Sequence, residues 1–264
     1  MKFTWIGGPT FLLEIGDFKV LTDPVLNNNK EAFIMNGHPS TGKNGVTILR
    51  NAPVPDFDLN SIQYVLVSHI HSDHFDKVAM DKINKSTPII MPNSQKHLLQ
   101  DKFENITPID WWESTALISK NQNLNITSVP ARHAHKDDIN MEMGIVNGYL
   151  IEYSSPEEKI KIYWTGDTVW FEDMKKIKDF AGEIDILIPH MGAVGIDGPY
   201  DMLTLNSEEA IKVCSLFNPK YIIPIHHSTF SHYVELISVF GEEFKKVDNT
   251  DTLILLREGE SWVK

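Results

Sequence analysis

The sequence predicts an α+β fold in which two mixed β-sheets pack face to face and helices cover their outer faces. Short strand-like segments dominate the first part of the chain, whereas later apolar segments of strand length alternate with amphipathic helical segments. The chain has 264 residues, of which 42% are hydrophobic, and this is enough to bury a large core. Because no linker or low-complexity tract interrupts it, we expect residues 1–264 to form a single domain.

The first strands are predicted close to the N-terminus. Residues 2–6, 10–15 and 18–22 have the composition of short strands, and turns that contain Gly separate them. Residues 27–55 differ, because they hold three consecutive Asn, three Gly and three Pro. We interpret this segment as a long loop with little regular structure that could form one wall of a pocket.

The rest of the chain alternates between helices and strands. Helices are predicted at residues 76–84, 93–99, 171–180, 207–217 and 233–240. Strands are predicted at residues 64–67, 88–91, 106–109, 116–119, 124–129, 145–153, 159–164, 184–188, 221–225 and 253–256. This order favours helices on the outside of paired sheets.

Composition limits the classes of function. The formal net charge is −12, from 24 basic and 36 acidic residues, which disfavours nonspecific nucleic-acid binding. The single cysteine, Cys214, cannot form an internal disulfide, which fits a reducing compartment. The first residues lack a signal-peptide pattern, and no apolar run reaches the length of a membrane span. We therefore expect a cytoplasmic protein without a stable membrane anchor, as a monomer or a homo-oligomer.

Four potential metal ligands lie within six residues directly after the strand predicted at 64–67. They are His69, His71, Asp73 and His74, in the pattern His-x-His-x-Asp-His. Neutral imidazoles and carboxylates are ligands of zinc, manganese and iron. The pattern therefore predicts a metal site where a buried strand ends and a loop begins.

Three later strand-like segments also end in potential ligands. His133 follows the strand predicted at 124–129, Asp167 follows the strand at 159–164, and His226 follows the strand at 221–225. Paired sheets build their sites at such edges, so these strand ends are expected to meet the first cluster.

These residues, in this order along nearly the whole chain, resemble the metallo-β-lactamase superfamily. The segments Trp5-Ile6-Gly7-Gly8 and Gly166-Asp167-Thr168 resemble its branch that includes L-ascorbate-6-phosphate lactonases and N-acylphosphatidylethanolamine phospholipase D. The resemblance implies a four-layer αββα sandwich with two divalent metal ions at one edge, Zn being favoured and Mn or Fe being alternatives. It implies one ion on His69, His71 and His133, a second on Asp73, His74 and His226, and Asp167 as the bridge.

The resemblance implies a metal-dependent hydrolase that acts on a small-molecule substrate. Two ions roughly 3.5–4 Å apart activate a shared water for attack on an ester, lactone or phosphodiester. Asp73 is a catalytic candidate, because its carboxylate could accept a proton from that water. A lactonase-like activity on a phosphorylated sugar lactone is favoured, with Arg132, Lys43 and Arg50 as candidate phosphate contacts. The alternatives are a superfamily nuclease and an inactive metal-binding or ligand-binding sensor.

Several other residues near the predicted site are ambiguous. His190 follows the strand at 184–188, and we predict a catalytic role for it, in phosphate binding or in protonation of a leaving group; a hydrogen-bonded loop histidine is the alternative. His135 is an alternative ligand to His133, and His227 to His226. We prefer His133, which directly follows Pro130-Ala131-Arg132, and His226, which has the family's position after Pro-x. His135 is then a candidate for contact with a ligand side chain or with the substrate. Asp23 is either a turn residue or an acceptor for the second ring nitrogen of a metal-bound histidine. The remaining histidines, His38, His97 and His232, are interpreted as surface or structural residues.

Overall fold

A computed structural model describes residues 1–247 and 252–264 of the chain. Its strands are, in chain order, β1 (Lys2–Gly7), β2 (Thr10–Ile15), β3 (Phe18–Thr22), β4 (Glu31–Met35), β5 (Val46–Leu49), β6 (Tyr64–Leu66), β7 (Ile89–Pro92), β8 (Ile106–Ile109), β9 (Ser114–Ser119), β10 (Gln122–Pro130), β11 (Asn147–Ser154), β12 (Lys159–Trp164), β13 (Ile186–Ile188), β14 (Tyr221–Ile222) and β15 (Ser261–Val263). Its helices are α1 (Lys77–Lys82), α2 (Asp137–Met143), α3 (Met174–Ala181), α4 (Ser207–Phe217) and α5 (Ile237–Val247), with 3₁₀ turns at Leu59–Ser61 and Asn93–Leu98.

The described strands form two large mixed sheets and one hairpin. The first sheet has the order β15-β1-β2-β3-β6-β7-β8, and the second has the order β14-β13-β12-β11-β10-β9. In the first sheet the pairs up to β2–β3 are antiparallel, and the pairs from β3–β6 onward are parallel. In the second sheet the β12–β13 and β13–β14 pairs are parallel. The loops that follow β12, β13 and β14 therefore lie at the same edge of the sheet.

Alternation of side chains along β12 shows how the layers stack. Trp164 points into the core between the sheets, where its ring meets Phe11 of the first sheet at a centroid distance of 5.4 Å. The preceding residue, Tyr163, points the opposite way and packs on Phe217 of α4 at 4.7 Å. On the far side of the first sheet, Ala79 of α1 packs with Val65 of β6. The structure thus confirms the α+β, four-layer αββα architecture.

Residues 27–55 contain more regular structure than their composition predicts. Strands β4 and β5 pair as an antiparallel hairpin, whose apolar residues Ala32 and Ile48 are buried against Val25 and Phe230. The expectation of a segment with little regular structure is therefore wrong. A few apolar side chains suffice to dock the hairpin, although its turn residues are rich in Asn and Gly.

Other element boundaries also differ from the predictions. The helix predicted at 233–240 is α5, which begins at Ile237 and ends at Val247. The strand predicted at 253–256 is reduced to one bridge between Leu253 and Ile222, whereas β15 pairs with β1 further along the chain. Helix α2 has no fully buried residue, and it was not predicted because its apolar side consists of Ile139 and Met143, too few residues for a periodicity to reveal. In the part of the chain that the structure describes, every helix is too short or too polar to cross a lipid bilayer.

Candidate metal centre

The first cluster of the site consists of three histidines. His69 and His71 lie in the loop after β6, and His133 lies just after β10. One ring nitrogen of each lies within 4.8 Å of those of the other two. Burial lowers the pKa of all three rings, and that of His71 falls to about 4. The rings are therefore neutral near pH 7, which is the form that binds a metal ion.

His133 is held in a defined tautomer and direction. Its Nδ1 donates a hydrogen bond to the backbone carbonyl of Leu203 at 2.9 Å, which leaves Nε2 with a lone pair. Its backbone N–H donates to Asn140 Oδ1 of α2 at 2.8 Å. The neighbouring His135 instead pairs with Glu209, through an Nε2–Oε1 distance of 2.8 Å, and stays outside the cluster. This arrangement supports the choice of His133 over His135 as a ligand and gives His135 no contact with the site.

The second cluster is formed by His74, Asp167, His190 and His226, whose ligand atoms lie within 4.8 Å of one another. His74 Nε2 lies 3.2 Å from Asp167 Oδ2, and His226 Nε2 lies 3.5 Å from Asp167 Oδ1. Asp73 Oδ2 adds a further oxygen at 3.7 Å from His226 Nε2 and 3.9 Å from His74 Nε2. The predicted ligands of the second ion are thus brought together, although they come from loops after β6, β12 and β14.

Asp167 lies between the two clusters. Its Oδ2 is 3.6 Å from His133 Nε2 of the first cluster and 3.2 Å from His74 Nε2 of the second. The preceding Gly166 has a φ of 61°, and a Cβ there would lie 2.7 Å from the backbone carbonyl of Asn147. Glycine is therefore needed for the turn that brings this carboxylate between the clusters.

The carboxylates and His74 have strongly perturbed acidity. Burial alone would raise the pKa of Asp73 and Asp167, but the surrounding histidines outweigh it and hold both values well below the usual range. Burial opposes a charge on His74 as well, yet Asp167, Asp73 and Asp23 together hold its pKa well above the usual value. The two carboxylates and His74 thus favour one another's charged forms, and His74 Nε2 must be unprotonated to bind a metal.

Asp23 accepts hydrogen bonds from His74 and Ser68 on the side of His74 that faces away from Asp167. Its Oδ2 accepts a hydrogen bond from His74 Nδ1 at 2.7 Å and another from Ser68 Oγ at 2.5 Å, and its Oδ1 accepts from the Ser68 backbone N–H at 2.6 Å. The carboxylate is fully buried, and burial raises its pKa. Of the two interpretations from the sequence, the structure therefore supports an acceptor for the second nitrogen of a ligand histidine.

His190 is buried on the far side of Asp167. The indole N–H of Trp164, which can only donate, points to His190 Nε2 at 2.6 Å. Nδ1 must then carry the proton, and it donates to Asp167 Oδ1 at 2.7 Å. Both ring nitrogens are engaged, and burial lowers the pKa of the ring to about 3. This geometry does not support the predicted contact with a phosphate or leaving group, because the ring is fully buried and both of its nitrogens are occupied.

His232 is a site residue that the sequence interpretation missed. It is 2% exposed, lines the cavity beside the clusters, and places Nε2 at 3.3 Å from Asp73 Oδ2. His232 is therefore not a surface residue, and it contacts a residue of the predicted site. No ligand spacing could have revealed it, because its position depends on the turn that follows Phe230. His227, by contrast, points away from the clusters and packs on Trp5 at 4.4 Å.

A cavity of about 360 Å³ opens onto both clusters. Asp73, Asp167 and His226 line its polar side. Residues of the β4–β5 hairpin and its turn, such as Met35 and Pro39, form one wall, so the expectation that the 27–55 segment borders a pocket is confirmed.

Comparisons with known proteins agree with this geometry. A family model described as "Beta-lactamase superfamily domain" matches residues 19–227, so the chain belongs to the β-lactamase superfamily. A protein of Archaeoglobus fulgidus named UPF0173 metal-dependent hydrolase is 30% identical over 99% of this chain and 98% of its own length. An N-acyl-phosphatidylethanolamine-hydrolyzing phospholipase D of Caenorhabditis elegans is 26% identical over 86% of this chain and 64% of its own length.

Solved structures show the same fold. The isothiocyanate hydrolase from Delia radicum gut bacteria superimposes with a TM-score of 0.82, covering 100% of this chain and 99% of its own, at 19% identity. The family, the fold and the His/Asp clusters together define a metal-dependent hydrolase of this superfamily. The resemblance drawn from the sequence is therefore confirmed.

Proposed function

We propose that this chain is a two-ion hydrolase of small esters or lactones, with Zn as the favoured metal and Mn or Fe as alternatives. His69, His71 and His133 would hold one ion, Asp73, His74 and His226 the other, and Asp167 would bridge them. The observation that carries the proposal is the position of Asp167 Oδ2, which faces a nitrogen from each cluster at 3.6 and 3.2 Å. When bound, such a pair of ions supplies a hydroxide near neutral pH and stabilises a developing oxyanion.

The donor set fits divalent ions. Imidazole nitrogens and carboxylate oxygens suit all three candidate metals. Among the described residues, the fully buried His226 Nε2 has no hydrogen-bond partner, which is costly for a polar atom unless another group satisfies it. Its Nδ1 already donates to the Met191 carbonyl at 3.2 Å, so Nε2 offers its lone pair to the cluster.

Asp73 and His190 have different proposed roles. Asp73 lines the cavity and is the proposed acceptor of a proton from the attacking water. His190 does not line it; its hydrogen bond to Asp167 Oδ1 makes it a positioning residue for the bridging carboxylate. We further propose that the whole chain serves as one hydrolase domain.

A phosphorylated sugar lactone is the less favoured substrate within this class. Arg132 pairs with Asp137 at 2.5 Å, and the buried Arg50 donates to the Val25 carbonyl at 2.8 Å. Among the described residues, neither of them nor Lys43 lines the cavity. The same lack of basic lining disfavours the nuclease alternative.

Metal-dependent turnover tests the proposal. The protein would be stripped with a chelator, reloaded separately with Zn, Mn or Fe(II), and assayed on p-nitrophenyl esters and on aliphatic lactones. We expect activity that returns only with metal and falls at least about a hundredfold in Asp73→Asn. The matched control is Asp185→Asn, which removes a carboxylate paired with Lys220 away from the site. Stable metal binding without turnover of any ester or lactone would favour the sensor alternative.

A further inference from the structure

The cavity next to the clusters is divided into a polar and an apolar half. The polar half consists of five residues proposed to hold the ions, together with three uncharged or histidine side chains: His71, Asp73, His133, Asp167 and His226, with His232, Ser72 and Asn36. The apolar half consists of Ile34, Met35, Pro39, Ile70, Met143, Val194 and Leu203, with Tyr200 beside them. A substrate whose reacting bond lies at the polar half must therefore place its remaining part against hydrocarbon.

The charged side chains that line the cavity are also unevenly distributed. No lysine or arginine of residues 1–247 and 252–264 lines the cavity, and the carboxylates that do are those of the proposed ion ligands, Asp73 and Asp167. An anionic group on the non-reacting part of a substrate would lose its hydration beside the apolar wall without meeting a counter-charge, which is costly. The lining therefore discriminates against such groups.

Two of the chain segments that form the apolar wall contact each other. A Cβ at Gly37, in the turn of the hairpin, would lie 2.7 Å from the Tyr200 hydroxyl, and a Cβ at Gly198 would overlap the Pro39 carbonyl. The turn after β4 thus packs tightly on the segment around residues 195–201. This contact forms one side of the cavity, whose volume of about 360 Å³ is at the lower end of the range for small-molecule sites.

Ile34 marks the mouth of this half. It lines the cavity although it is 66% exposed, so the protein itself does not bury this large apolar side chain. An apolar group entering the cavity would cover it and gain hydrophobic free energy from its burial.

We infer that the substrate is a small molecule whose non-reacting part is uncharged and apolar, such as a short alkyl or aryl group. This inference rests on the proposed two-ion hydrolase function, because the ions define where the reacting bond lies. It excludes a remote phosphate or carboxylate on the substrate.

Binding of two matched hydroxamates tests the inference without relying on turnover. Hexanohydroxamate and adipic acid monohydroxamate share a metal-binding head and a chain length, but only the second ends in a carboxylate. Calorimetry on the metal-loaded protein should give a Kd at least about tenfold lower for hexanohydroxamate. Equal or tighter binding of adipic acid monohydroxamate would overturn the inference and leave the two-ion proposal standing. Failure of both compounds to bind would refute the two-ion site itself.

Two variants test whether the apolar wall of the cavity causes the preference for hexanohydroxamate over adipic acid monohydroxamate. Ile34→Lys adds a cation at the mouth on an exposed strand residue, so the fold should be retained. We expect it to lower the preference for hexanohydroxamate by about tenfold. The control, Ile118→Lys, changes the same residue type on β9, where it is 73% exposed and does not line the cavity, and should leave the preference unchanged. An unchanged preference in Ile34→Lys, or an equal change in both variants, would overturn the inference.

Discussion

His190 Nδ1 donates to Asp167 Oδ1 across 2.7 Å, while the other oxygen of Asp167 faces both histidine clusters. One oxygen of the Asp167 carboxylate, the proposed bridge, is thereby fixed by a buried imidazole whose tautomer is set by the Trp164 indole. The hydrogen bonds from Trp164 to His190 and from His190 to Asp167 therefore orient the proposed bridge through protein groups alone.

Removal of this hydrogen bond should weaken metal binding. In His190→Ala, Asp167 Oδ1 loses its donor and the carboxylate can rotate, so we expect the affinity for the metal to fall by about tenfold or more. His190→Asn, whose amide can donate from nearly the same place, should recover part of the loss. The Kd would be measured by competition with a chelating dye.

The control for this variant is His135→Ala, because His135 pairs with Glu209 and lies outside both clusters. Circular dichroism would verify that each variant is folded. Native metal affinity in His190→Ala would contradict a positioning role.

Replacement of Asp23 should also lower the affinity for the metal. Asp23→Asn keeps the size of the buried side chain but weakens the acceptor for His74 Nδ1, so we expect the metal affinity to fall by about tenfold to a hundredfold. Metal content after dialysis against a weak chelator would measure the loss. Asp185→Asn provides the comparison, because Asp185 pairs with Lys220 and belongs to neither cluster. Equal metal retention in the two variants would show that Asp23 is only a turn residue.

His232 should affect turnover more than metal content. Its Nε2 lies 3.3 Å from Asp73 Oδ2 on the cavity side, so His232→Ala removes a neighbour of the proposed proton acceptor. We expect kcat to fall by about tenfold while the number of bound ions per chain is unchanged. The exposed His97 supplies the control as His97→Ala. Loss of metal together with activity would instead assign His232 a role in holding the ions.

Asp76 links the 27–55 segment to the rest of the fold. Its Oδ1 accepts from the Ala79 N–H at the start of α1 at 2.7 Å, and its Oδ2 accepts from the Asn27 N–H at 2.6 Å. Asp76→Ala should lower the free energy of unfolding by about 1–2 kcal/mol, because a helix cap and a loop anchor are lost together. Urea unfolding would measure this change. The exposed cap residue Asp58, replaced in the same way, should give a smaller loss, and equal losses would argue against the anchor.

The sequence predicted the architecture because the strands near the metal edge are short apolar runs that end abruptly in polar ligands. It also predicted that His133, Asp167 and His226 meet the first motif, since each follows such a run. His190 joins the second cluster too, but it was predicted to be catalytic and not a ligand. The sequence did not predict the regular structure that depends on tertiary contacts alone. The β4–β5 hairpin is held by contacts such as that between Phe33 and Phe230, nearly two hundred residues apart, and no local pattern reports them.

The same reason explains the two histidines that were misjudged. His190 occupies the strand end where a site residue is expected, but its partners Trp164 and Asp167 determine that it is buried behind the site. His232 approaches Asp73 only because the chain turns back after Phe230. Both outcomes depend on side-chain direction, which spacing along a single sequence does not encode.

The number of metal ions per chain, measured by plasma mass spectrometry on protein purified without chelator, tests the two-ion site most directly. We predict about two ions per chain in the native protein and in the control Asp185→Ala, and loss of both ions in Asp167→Ala. One ion retained at full occupancy in Asp167→Ala would contradict the bridging role. A native protein that holds no metal, even after incubation with Zn or Mn, would contradict the site itself.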